Sequence, residues 1–410
     1  MSKQKKSKFA FLKIKKSLLS SWIVDFCLKN KIKLMTPIQQ ACIPSIILGK
    51  DLIVFSRTGT GKTMAYILPG VHRIDNDKKI NQMVIIIPTL ELGFQIFDII
   101  QKIGHNRKIF FYFFPKELNL KNSEKMLAYV NGGKRCLVST PNSFFFFLKN
   151  KKYRLHNKKN LLTIDEGDLL FGKKFYFEIE VILIDLKPKQ VLVFSASMTK
   201  NLHILKFPKI KKKIFCFYEN RIKFSLINIS DQEYFFCPNR LKVFYLWLFL
   251  KSKYKISSQK NKEKNFSSII FVSDPKICHN IARILGKNKI STVQLHENMD
   301  HLARLISMQL IKTKQIKILI CTDLGSRGLD FPLVSSVINF NFPKKVNTYL
   351  HRAGRALRFF RKGKCLNLVD QKEIRFLHYF EKKTGIKITK FKEIKENEII
   401  KILSKKLFKK

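Results

Sequence analysis

Acidic side chains are scarce in this sequence beside basic ones. Its 410 residues carry 29 Asp and Glu against 80 Lys and Arg, a formal net charge of +51 with a pI near 10.1. An excess of that size attracts polyanions, and nucleic acid is the commonest of them. A biased base composition of the gene, visible in the 37 phenylalanines, is the competing source of the lysines. Paired cysteines are missing as well. Cys27, Cys42, Cys136, Cys216, Cys237, Cys278, Cys321 and Cys365 are scattered with no C-x-x-C among them, so neither a zinc cage nor a disulfide framework is indicated. A reducing, intracellular setting fits that usage. No apolar run approaches the roughly 18 residues that cross a bilayer; residues 243–250 are among the longest and are far too few. The first residues, MSKQKKSKF, lack the apolar stretch of a secretory leader, and read either as a nuclear address or as a solvated lysine tail. No repeat of solenoid length is present.

What is present is a globular chain, 45% hydrophobic and long enough for two to three domains. Short apolar runs at residues 52–55, 84–87, 136–139, 161–164 and 191–194 read as buried strands. A second series follows at 269–272, 292–295, 318–321, 337–339 and 365–369. Strands alternating with amphipathic segments indicate an α/β fold of parallel sheets flanked by helices. The expected organisation is a basic tail (1–8), a first domain (9–216), a linker (217–230), a second domain (231–385) and a basic C-terminal tail (386–410). Residues 251–266, polar and lysine-rich, read as an exposed insertion within the second domain, and residues 144–147, four phenylalanines, as core.

In the first half, the strand DLIVF runs into Ser56-Arg57-Thr58-Gly59-Thr60-Gly61-Lys62-Thr63 and then into a helical segment. Strand, glycine-containing loop and helix start are the context of a phosphate-binding loop. Glycines let backbone N–H groups close around phosphate oxygens, and the helix N-terminus adds its dipole. Lys62 is placed to reach the β- and γ-phosphates, and the Thr63 hydroxyl to hold Mg²⁺. About a hundred residues on, the apolar run LLTI ends in Asp165-Glu166-Gly167-Asp168. Carboxylates at a strand's C-terminal end beside such a loop suit Mg²⁺, held by Asp165 largely through water, and activation of a water by Glu166.

With both motifs present, the chain resembles a DEAD-box ATP-dependent RNA helicase over roughly residues 9–370, with its motifs in the family's order and spacing. The resemblance implies two tandem RecA-like domains joined by a short linker. It also implies ATP and Mg²⁺ as ligands and RNA-stimulated ATP hydrolysis with local duplex or ribonucleoprotein remodelling. Met35-Thr36-Pro37-Ile38-Gln39 resembles the adenine-reading segment, with Gln39 carrying the amide; the stacking aromatic upstream is Ile14 by position, with Phe9 or Phe11 as substitutes through an offset. ATP contacts are then Gln39, the loop residues Ser56 to Thr63, and Asp330. Ser195-Ala196-Ser197 resembles the segment that couples hydrolysis to RNA, with Ser195, Ser197 and Asp168 in that role. Thr89, Thr140, Arg304 and Thr322 are the implied RNA contacts. In His351-Arg352-Ala353-Gly354-Arg355-Ala356-Leu357-Arg358, Arg355 and Arg358 are candidate arginine fingers. Three residues apart on a helix, they share one face and can both point at a γ-phosphate.

Three departures concern RNA contact in the first half. Leu90 and the pair Asn142-Ser143 stand where the family carries Arg and Gly-Arg, and the family's glycine pair is replaced near residues 113–115. Two charge-assisted phosphate contacts are thereby lost. An ATP-gated RNA clamp, or an RNA-binding scaffold with little unwinding, is the alternative that follows. The segments SSWIVDFC, TPIQQACIPSIILGKDL and SRGLDFPLVSSVINFNFP resemble the nucleolar branch that assembles small ribosomal subunits. This implies pre-rRNA as substrate, a nuclear or nucleolar location (in a reduced endosymbiont nucleus if the Lys, Phe and Ile bias is genomic), protein activators, no membrane and a monomer. Translation-initiation helicases are the alternative branch.

Overall fold

The computed structural model describes residues 13–56, 59–76, 82–104, 109–114, 134–149, 160–195, 215–218, 231–259, 266–323, 334–356 and 363–391. Contacts divide the chain into two compact units near residue 220.

The first unit is built on seven strands: β1 (Leu52–Phe55), β2 (Gln82–Ile86), β3 (Ile109–Phe114), β4 (Lys134–Ser139), β5 (Asn160–Ile164), β6 (Gln190–Ser195) and β7 (Phe215–Tyr218). They lie in the order β3-β4-β2-β5-β6-β1-β7, all pairings parallel. Alternate residues of β1, β2, β5 and β6 feed two cores. Leu52, Val54, Met83, Ile85, Leu161 and Phe194 pack on one face under helices α1 (Ser21–Lys29), α2 (Pro37–Ile47), α3 (Lys62–Asn76) and α4 (Leu90–Gly104). Ile53, Val84, Ile86, Leu162 and Val193 pack on the other under α5 (Pro141–Lys149) and α7 (Tyr176–Leu186), with the short α6 (Gly167–Leu170) between them in sequence. A sheet covered on both faces needs apolar residues at every strand position, and these strands read as continuous apolar runs for that reason. Phe144, Phe145 and Phe147 are buried as expected, while Phe146 faces solvent.

The second unit repeats the plan with β8 (Asp231–Phe236), β9 (Ser268–Val272), β10 (Val293–Leu295), β11 (Ile318–Thr322), β12 (Ser336–Asn339), β13 (Lys364–Val369) and β14 (Thr389–Lys390), in the order β10-β11-β9-β12-β13-β8-β14. These pairings are also parallel. Helices α8 (Lys242–Gln259), α9 (Pro275–Lys287), α10 (His301–Lys312), α11 (Val346–Ala353) and α12 (Ile374–Thr384) complete it. Lys242, with no exposed side-chain surface, anchors the start of α8 by ion pairs to Asp370 Oδ2 at 3.1 Å and to Glu373.

Three boundaries differ from the sequence reading. β7 pairs with β1 through Tyr218, so residues 217 and 218 belong to the first sheet and not to the linker. β14 pairs with β8, which carries the second domain past 385 to Lys390. Of the expected insertion, residues 251–259 continue α8 with Lys251 and Ser252 exposed, residues 260–265 lie outside the described residues, and Phe266 packs against the core. No helix among the described residues is long and apolar enough to cross a membrane.

Candidate functional site

Strand order places the chemistry. β5, β6 and β1 are neighbours, so the residues leaving their C-terminal ends meet at one edge of the sheet. Past β1 the loop begins with Ser56, whose hydroxyl lies 2.6 Å from that of Thr60 and whose N–H donates to Ser195 O at 3.0 Å. Gly59 and Gly61 take φ of 81° and 93°, which glycine adopts without strain. At Gly61 a Cβ would also stand 2.7 Å from Gln39 Nε2. Gln39, in the first turn of α2, accepts from Thr36 N–H at 3.0 Å and donates to Gly61 O at 3.3 Å. The Gln39 amide is thus tied to the glycine-bearing loop.

Lys62 opens α3 with only 7% of its surface exposed, and its Nζ has no hydrogen-bond partner among the described residues. A buried ammonium without a partner is unfavourable unless an anion joins it. Asp165, past β5, is buried too. Its Oδ2 accepts from Tyr66 OH at 2.9 Å and its Oδ1 from Glu166 N–H at 2.9 Å. Burial, then the neighbouring Glu166 charge, pushes Asp165 up to about 6; Lys62 and the two hydrogen bonds oppose that rise. Glu166 sits in the left-handed region, φ 55° and ψ 49°, as the cap of α6. Such a conformation costs about 1–3 kcal/mol and turns the chain sharply into the site. Asp168 N–H donates to Ser195 Oγ at 3.2 Å, joining the acidic loop to the end of β6.

Thr89 and Thr140 lie beyond β2 and β4, which are adjacent with Ile86 opposite Ser139. Both are half-buried and both cap helices: Thr89 Oγ1 accepts from Leu92 N–H at 3.4 Å, and Thr140 O from Phe144 N–H at 3.0 Å. Leu90 and Ser143, where the family carries arginine, are buried, so neither position offers an outward charge. Ile14 is fully buried in the core and cannot stack on a base.

In the second unit, Thr322 ends β11, and Arg304 lies in α10 with 7% exposure. Helix α11 ends at Ala353 with Gly354 as its cap. Arg355 therefore stands in a tight turn after the helix, its N–H bonded to Arg352 O at 3.0 Å. Arg355 is thus not within the helix as the sequence suggested, and the face it was expected to share with Arg358 involves a residue outside the described ones. Of the sequence-derived residues, Arg57, Thr58, Ser197, Asp330 and Arg358, together with Phe9 and Phe11, lie outside the described residues.

Two residues of the site were not singled out from sequence. Tyr66, fully buried, bonds Asp165, and its hydroxyl also meets Thr63. Arg352 grips Asp323 with two arms, at 2.6 and 2.8 Å, and reaches Asn339 Oδ1 at 3.0 Å and Asn341 O at 2.8 Å. Its place in the basic run was visible, but its partners only the fold supplies.

The chain matches the DEAD/DEAH box helicase family over residues 36–205 and the helicase conserved C-terminal domain over residues 250–360. It is 30% identical over 393 residues to the probable ATP-dependent RNA helicase DDX49 of Homo sapiens, spanning 94% of this chain and 78% of that protein. To the ATP-dependent RNA helicase DBP8 of Yarrowia lipolytica it is 28% identical, spanning 93% and 85% respectively. Among solved structures it is similar in fold to S. cerevisiae Dbp5 bound to RNA and ADP BeF3, with a TM-score of 0.76, 23% identity and 94% and 97% of the two chains covered. A glycine-bearing strand–loop–helix carrying a buried lysine near an acidic strand end, on a chain alike to these helicases along nearly its whole length, gives one conclusion: the chain belongs to the DEAD-box family of ATP-dependent RNA helicases.

Proposed function

We propose that this helicase remodels pre-rRNA during assembly of small ribosomal subunits in the nucleus or nucleolus, acting as a monomer with protein activators. The similarity to DDX49 and DBP8 over nearly the full chain supports that branch over the translation-initiation one. The net charge of +51 suits a long polyanionic substrate in either branch.

The observation that carries the catalytic assignment is the partnerless Nζ of Lys62 beside the buried Asp165 carboxylate. Triphosphate oxygens satisfy the lysine, while loop N–H groups, Ser56 to Thr63, surround them. Thr63 and Asp165 are the residues that would hold Mg²⁺, Asp165 partly through water, and a divalent cation there fits a carboxylate that burial otherwise disfavours. When bound, the ion neutralises charge on the transferring phosphoryl group. Glu166, held by its strained backbone, orients and deprotonates the attacking water. Arg355 and Arg358 supply guanidinium charge to the transition state, and Asp330 binds the ribose. Thr89, Thr140, Arg304 and Thr322 take RNA phosphates, and Ser195, Ser197 and Asp168 link that binding to hydrolysis. Arg352 works differently: by fixing Asp323 it positions the segment carrying Thr322.

Crosslinking the protein to RNA in cells and sequencing the attached fragments tests the substrate. Pre-rRNA is expected, and a population dominated by mRNA overturns the assignment. The buried Leu90 and Ser143 favour a second reading, an ATP-gated clamp. Strand displacement on a short duplex decides it, since binding without displacement supports the clamp.

A further inference from the structure

Thr322 ends β11, and Glu297 follows two residues past the end of β10. The two strands are parallel neighbours with Leu295 opposite Cys321, so the residues leaving both converge at one edge of the sheet. There the Thr322 hydroxyl donates to Glu297 Oε2 at 2.6 Å, the length of a charge-assisted O–H to carboxylate bond. Thr322 is 3% exposed, whereas Glu297 faces solvent. The next acid along, Asp323, is neutralised by both arms of Arg352; Glu297 forms no ion pair among the described residues. Arg304 borders the same cluster. His296 is held below its ordinary range chiefly by burial, and the charges of Glu297 and Arg304 act on it in opposite senses.

A threonine hydroxyl has one proton to give. While that proton goes to Glu297, the hydroxyl has only lone pairs to offer a phosphate oxygen, which is itself an acceptor. The carboxylate also sets a like charge beside the incoming phosphate. We propose that Glu297 is a resident competitor at the RNA-phosphate site: the phosphodiester backbone engages Thr322 only by displacing the carboxylate. This rests on the reading above that Thr322 takes an RNA phosphate. In a chain of charge +51, bulk attraction to RNA is abundant. A carboxylate at the seated contact loosens the seated state relative to loose association, and so favours release.

The test is fluorescence-anisotropy binding of a labelled single-stranded RNA, and of the matching DNA, to the full chain with a non-hydrolysable ATP analogue. Wild type, Glu297→Gln and Thr322→Val are compared; the first substitution is isosteric and on the surface, so the fold is kept. Glu297→Gln is expected to bind RNA roughly fivefold or more tightly, and Thr322→Val to bind it more weakly. Unchanged or weaker binding by Glu297→Gln, with Thr322→Val weakened, overturns the competitor role alone; a loss confined to RNA would show the carboxylate accepting from a ribose hydroxyl instead. Wild-type affinity in Thr322→Val overturns the assignment of Thr322, and the competitor role with it.

Discussion

Single side chains carry the strongest constraint in the first unit. Asp165 is ionised at neutral pH in a place that disfavours ionisation, since burial and Glu166 push it up to about 6. A carboxyl group whose folded value is raised opposes folding at pH above that value, and the penalty is relieved as pH falls from about 6 toward the ordinary value near 4. Asp165→Asn removes the penalty and retains an acceptor for Tyr66. The nucleotide-free variant is therefore expected to be more stable than wild type at pH 7–8, on the order of 2 kcal/mol, with the gap narrowing below pH 6, while ATP turnover is lost. Thermal melts across pH 5–8 check this; equal stability at pH 7–8 contradicts the burial argument. Tyr66 sharpens the point. Its hydroxyl is a donor fixed on Asp165 at 2.9 Å, and Tyr66→Phe strips that bond without changing shape. Destabilisation of roughly 1–2 kcal/mol is expected, from a buried acceptor left with one donor fewer; an unchanged denaturant midpoint would contradict it.

Elements, by contrast, are held by what lies at their ends. Helix α8 begins with Lys242, whose ammonium is enclosed between Asp370 and Glu373 just ahead of α12. Burial alone would raise the Asp370 carboxyl, but its hydrogen bond to Lys242 and the lysine's charge outweigh that and hold it below its usual range. Lys242→Met leaves two acids facing each other, and a loss of about 3–5 kcal/mol at neutral pH is expected. Because a depressed carboxyl stabilises only above its unfolded value and loses that contribution as pH falls through the folded one, the deficit should shrink below about pH 4. Chemical denaturation at pH 7 and pH 3.5 measures both; a deficit constant over that range contradicts the ion pair's role. Legibility followed the same division. Runs such as LIVF and SIIFV were readable because both sheet faces are covered, so every position is apolar. β3, an aromatic run, did not stand out in a chain with 37 phenylalanines, and β14, Thr-Lys, carries no pattern at all. The end of α11 at Ala353 is a matter of local backbone, and it moved Arg355 off the helix. Tyr66, Arg352 and Glu297 owe their roles to partners 99, 29 and 25 residues distant, distances no local pattern encodes.

At the scale of the molecule, two parallel-sheet units each bring charged and hydroxyl side chains to the C-terminal edge of their strands: Lys62, Asp165 and Glu166 in the first, Thr322, Asp323 and Arg352 in the second. In the function proposed above both sets are required, the first to hold the triphosphate and the second to supply RNA contacts and Arg355. Seven of the eight cysteines have described side chains, and all seven are buried, with Cys27 pushed up to about 11 and Cys42 to about 12 by burial, so none of these seven is a reactive thiolate. The most direct measurement is steady-state ATP hydrolysis by the full chain, with and without single-stranded RNA, for wild type, Lys62→Ala, Glu166→Gln and Arg355→Ala. RNA should stimulate the wild type, Lys62→Ala and Glu166→Gln should abolish turnover, and Arg355→Ala should lose the stimulated rate. Near-normal RNA-stimulated turnover in Lys62→Ala or Glu166→Gln would contradict the account.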